Sequence, residues 1–75
     1  MLKPDMLTTL LEKTDYMRSK IRGCSDLSFT WDVVKDTITI RCTYYTGEMF
    51  QKDFSIEQFL CFDRDDLDRV IKEYF

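Results

Sequence analysis

No histidine occurs in this chain of 75 residues, which also holds only two glycines, one proline and three cysteines. Without an imidazole, every Cys-His and Ser-His nucleophile arrangement is excluded. So little glycine and proline argues against disorder and against long loops. The cysteines (Cys24, Cys42 and Cys61) are odd in number and form no C-x-x-C pair. A secreted disulfide framework would use an even set, so they read as reduced, mostly buried thiols in a reducing compartment. No signal peptide and no long apolar run is visible. The expectation is a soluble cytoplasmic protein, with Met1 opening a complete reading frame.

What is present is a small apolar core rich in aromatics. Hydrophobic residues make up 44% and aromatics 15% of the chain, so each core position can carry a large buried area. A chain of this size forms one domain. Its most informative stretch is a pair of alternating runs: Leu27, Phe29, Trp31 and Val33, then Ile38, Ile40, Cys42 and Tyr44, joined by a hinge at Lys35-Asp36. Successive side chains of a strand point to opposite faces, so period-two alternation marks half-buried strands. Two such runs across a short connection predict a β-hairpin, with strands over 27–34 and 37–45. The opposite face carries Thr30, Asp32, Thr37, Thr39, Arg41, Thr43 and Tyr45, a β-prone but polar set suited to water or a partner. Thr46-Gly47 makes a second tight turn. Glu48 to Phe54 reads as a third strand, with Phe50 and Phe54 inward and Lys52 between them. An inward lysine fits an edge strand, where it deters edge pairing.

Helices flank this meander. Over 4–22, Pro4 suits the first helical position, Leu7, Leu10, Leu11, Thr14, Met17 and Ile21 form a stripe, and Gly23 is the expected C-cap. Ser55-Ile56-Glu57-Gln58 has the capping-box pattern. A short helix near 56–62, a kink, and a second helix near 64–75 capped by Asp63 follow, because an unbroken helix would bury Asp63. The fold class is therefore α+β in the order αβββα: an N-terminal helix, a three-stranded antiparallel meander, and a C-terminal kinked helix pair on one face of the sheet.

No catalytic, phosphate-binding or metal motif stands out, and no cofactor is expected. Asp63, Asp65, Asp66 and Asp68 superficially have calcium-loop spacing. However, Asp68 stands where that loop needs glycine and Tyr74 where it needs glutamate, so the run reads as helix capping or as an acidic partner-facing patch. The net charge is −3, distributed as +2 over 1–22, −2 over 23–54 and −3 over 55–75. General nucleic-acid binders draw affinity from a strong basic excess, which this chain lacks. Its basic cluster (Lys13, Arg18, Lys20, Arg22) complements a helix C-terminus, and with Arg41 it is the one route to phosphates. Tyr44, Tyr45, Met49 and Phe50 flank the second turn, and by alternation Tyr45 and Met49 share the open face with Arg41 and Gln51. Tyr, Met and Arg are enriched at protein interfaces.

Three resemblances follow. The αβββα order with a wet sheet resembles the double-stranded-RNA-binding domain, a family that holds phosphates with lysines at the start of its second helix. The matching positions here are Ser55, Ile56, Glu57 and Gln58, so that resemblance covers topology only. The stretch Tyr44-Tyr45-Thr46-Gly47-Glu48-Met49-Phe50 looks like the sheet of arm-binding domains in phage integrases. In size, acidity and element order the chain is similar to small phage-encoded accessory proteins, anti-CRISPR inhibitors among them, which occupy a host protein's nucleic-acid-binding surface. The expectation is a non-enzymatic protein-binding regulator, phage- or prophage-encoded. It would use Arg41, Tyr45 and Gln51 for shape, with Asp63, Asp65, Asp66 and Asp68 meeting a basic host surface. A nucleic-acid-binding domain is the alternative, and a homodimer through an edge strand is compatible with the first reading. No membrane is implicated.

Overall fold

The computed structural model describes residues 3–75, so the reading of Met1 as a start lies outside the described residues. Pro4 opens α1 (Pro4–Lys20), where its fixed φ and missing N–H fit the first turn. The buried stripe is Leu10, Thr14, Met17 and Ile21. Leu7 and Leu11, expected on that stripe, are instead 39% and 49% exposed. At about 100° per residue they are rotated roughly 60° and 100° away from Leu10, past the edge of the contact with the sheet. The helix also ends earlier than the sequence suggests. Ile21, not Gly23, is the C-cap: it turns extended, donates its N–H to the Met17 carbonyl at 2.9 Å, and buries its side chain. Gly23 follows at φ +76°, a left-handed conformation that glycine adopts without strain.

The sheet is an antiparallel meander of β1 (Cys24–Asp32), β2 (Thr37–Tyr44) and β3 (Met49–Ser55), with β2 central. In it, Leu27 pairs with Cys42, Phe29 with Ile40 and Trp31 with Ile38, while Phe54 lies across from Ile38 and Phe50 across from Cys42. β1 starts three residues earlier than its alternation indicates, because the register slips between Cys24 and Asp26. Such an irregularity adds a residue and resets which side chains point inward, bringing Cys24 opposite Tyr44. The hinge is longer than Lys35-Asp36. Val33 leaves the strand, is 56% exposed, and joins a turn over Val33–Asp36. The Asp32 carboxylate stops the strand there by accepting the N–H groups of Val34 and Lys35, each at 3.0 Å.

Ser55 caps α2 (Ile56–Cys61) by accepting the Gln58 N–H at 3.0 Å. The chain then breaks at Phe62-Asp63. A reciprocal capping box joins Asp63 and Asp66 at the start of α3 (Arg64–Tyr74). The three helices lie on one face of the sheet, where Leu10, Met17, Ile38, Ile40, Cys42, Phe59, Ile56 and Leu67 are essentially inaccessible to water. Lys52 on edge strand β3 does turn inward, and its ammonium stands 4.8 Å from the centroid of the Tyr74 ring. Beside it, Phe50 meets Phe75 edge to face at 5.3 Å. The Trp31 indole N–H is buried, and no described residue accepts from it. Among the described residues, no helix is long and apolar enough to cross a membrane.

Candidate interaction surface

With helices on one side only, the second face of the sheet stays uncovered. Its rows are Thr30, Thr39 and Asp53; Ser28, Arg41 and Gln51; and Asp32, Thr37 and Ser55. Threonine suits this position, since its branched Cβ favours the extended backbone while its hydroxyl tolerates water. Arg41 donates from Nε and from Nη2 to Oε1 of Gln51, at 3.2 and 3.0 Å, across the β2–β3 ladder. This double contact ties the guanidinium to the neighbouring strand before any partner arrives. Tyr45, the residue after β2, keeps the parity of this face and is 78% exposed. Met49, opposite Thr43, is 65% exposed. Arg41, Gln51, Tyr45 and Met49 therefore lie toward one end of one face.

The acidic residues belong elsewhere. Asp63, Asp65, Asp66 and Asp68 sit at the start of α3, in the helical layer on the opposite side of the sheet from Arg41. Three of the four already have partners. Asp63 accepts the Asp66 N–H at 2.8 Å, and Asp66 accepts the Asp63 N–H at 3.2 Å and pairs with Arg69 at 3.7 Å. Asp68 accepts from the Tyr16 hydroxyl at 2.6 Å. That bond, together with the carboxylate's charge, raises the Tyr16 pKa, while Arg64, 5.1 Å from the same ring, opposes the shift. Among the described residues, no three Asp, Glu or Cys side chains converge as metal ligands.

The basic end of α1 is likewise engaged. Lys13 donates to the Phe62 carbonyl, tying α1 to the break between α2 and α3. Arg18 donates to the Leu27 carbonyl at 3.2 Å and stacks 5.0 Å from the Phe29 ring. Lys20 lies 5.7 Å from the Tyr16 ring.

Two further features appear only in three dimensions. The β1–β2 tip carries Val34 at 97% exposure. At the opposite end of the sheet, a shallow groove of about 450 Å³ is lined by Gly23, Tyr44, Tyr45, Thr46 and Glu48. The doublet Val33-Val34, which breaks the alternation just before the turn, was the sequence signal for the first. The groove had none, because Gly23 and Glu48 meet only through the register slip and the second turn. No family model, curated protein or solved structure matches the chain.

Proposed function

We propose that this chain is a non-enzymatic protein-binding module whose working surface is the uncovered sheet face around Arg41 and Gln51, with Tyr45 and Met49 at its end. The observation that carries the reading is the pre-set guanidinium. Arg41 is held by two donors on one amide oxygen while remaining exposed, so binding costs little further side-chain ordering. An exposed aromatic and an exposed thioether beside it supply the residue types that anchor protein interfaces. The acidic run at Asp63–Asp68 supports a contact less well, since capping and the Tyr16 bond already occupy most of its carboxylates. Nucleic-acid binding is supported less again, because Lys13, Arg18 and Lys20 are turned to carbonyls and rings of the chain itself. Three free thiols support a reducing compartment, the cytoplasm.

The test compares three immobilised proteins: wild type, Arg41→Ala/Tyr45→Ala, and the helix-face control Asp65→Ala. A protein held by wild type and by the control falls about tenfold or more in the double variant, the loss expected when interface anchors are truncated. Equal retention by the double variant, or loss confined to Asp65→Ala, overturns the reading.

A further inference from the structure

The two ends of the central strand differ in form: a turn projects at one and a shallow groove lies at the other. At one end, the β1–β2 tip presents Val33 and Val34, 56% and 97% exposed, followed by Lys35. This tip is fixed on both sides. The Asp32 carboxylate binds the N–H groups of Val34 and Lys35, and the Asp36 carbonyl accepts the Ile56 N–H at 2.9 Å. Asp36 itself sits at φ +57°, a left-handed conformation that an L residue other than glycine adopts at a cost. Two exposed valines on a braced turn make a preformed apolar knob with a cation beside it.

At the other end lies the groove between Gly23, Tyr44, Tyr45 and Thr46, with a volume of about 450 Å³. Its lining of Gly23, Tyr44, Tyr45 and Thr46 is mostly apolar, the glycine leaves open space, and Glu48 supplies the one acidic residue of the lining. Knob and groove are separated by the length of β2, roughly 24 Å for its eight residues. One molecule cannot bring them together.

We propose that the chain self-associates head to tail, the Val33-Val34 knob of one copy entering the Tyr44-Tyr45 groove of the next while Lys35 meets Glu48. The inference shares Tyr45 with the partner reading above but does not rest on it, since Arg41, Gln51 and Met49 take no part. A contact between different patches of the same chain is not self-limiting and builds open rows or rings rather than a two-fold dimer. One turn seated in a shallow groove falls below the area of stable complexes, so association is weak, with a Kd of roughly 0.1–1 mM.

Sedimentation or light scattering on the purified chain tests this, with Val34→Asp to spoil the knob and Tyr45→Asp to spoil the groove. Both positions are exposed, and circular dichroism verifies that both variants fold. Wild type gains apparent mass above 9.1 kDa as concentration rises toward the millimolar range, while each variant alone stays at the monomer mass. Mixing the two variants yields a species of twice the monomer mass and nothing larger, because the one intact knob fits the one intact groove. Lys35→Glu combined in one chain with Glu48→Lys retains association. A wild type that remains monomeric throughout, a Val34→Asp protein that associates like wild type, or a variant mixture that stays monomeric overturns the proposal.

Discussion

Tyr44 and Cys42 are the residues whose ionisation the fold resists most clearly. Burial, together with a bond to the Cys24 thiol, moves the Cys42 thiol from 9.0 to about 11. Burial, with the neighbouring Cys42 thiol, moves the Tyr44 hydroxyl from 10.0 to about 12, and that hydroxyl donates to the Phe75 carbonyl at 2.8 Å. Both pKa values are higher in the folded chain. Between the unfolded and folded values, the folded state keeps protons that the unfolded chain has lost, so stability falls as pH rises. The contribution is complete below about pH 9 and is lost progressively from pH 9 to 12. Urea midpoints measured from pH 7 upward should be level to about pH 8.5 and then decline, and Tyr44→Phe should decline less. A midpoint that rises above pH 9 contradicts this assignment.

Among the elements, α3 depends most on its cap. It has eleven residues, too few for stability alone, and its first turn is closed by reciprocal bonds between Asp63 and Asp66. Asp63→Ala should cost about 1 kcal/mol in urea unfolding, and Asp63→Ser should recover most of that loss. No loss in Asp63→Ala would mean that packing of Leu67 and Val70 holds the helix without its cap. The elements were largely legible in the residues. Alternation at Phe29-Trp31 and Ile38-Ile40, the Ser55 and Asp63 caps, and Gly47 in its turn each have a local physical cause, and each appears where that cause predicts. The boundaries that moved were set by tertiary contacts. Ile21 left the helix to bury itself, Cys24 joined β1 through a register slip that period-two reading cannot detect, and Val33 was drawn out of the strand by the Asp32 carboxylate.

On the scale of the whole molecule, the two faces of one sheet do different work. The inner face carries Ile38, Ile40, Cys42 and Phe54, all buried, and it fixes the fold. The outer face carries Thr30, Arg41 and Gln51, all exposed, and it is the face proposed above for recognition. Alternation was enough to assign Arg41, Gln51 and Tyr45 to that outer face. Asp63–Asp68 were legible through a different signal, the Asp63 cap, which placed them at the start of α3 on the helical side of the sheet. The knob and groove at the two ends of β2 were hidden, since both are built by turns rather than by periodic segments.

This division of labour is tested most directly by comparing urea unfolding of Arg41→Ala/Gln51→Ala with that of Ile40→Ala. The outer-face double variant should unfold within about 1 kcal/mol of wild type, as expected for exposed positions. Ile40→Ala should lose about 2–5 kcal/mol, as expected for a cavity in a packed core. An outer-face loss as large as that of Ile40→Ala would show that Arg41 and Gln51 hold the sheet together, leaving no free face for a partner.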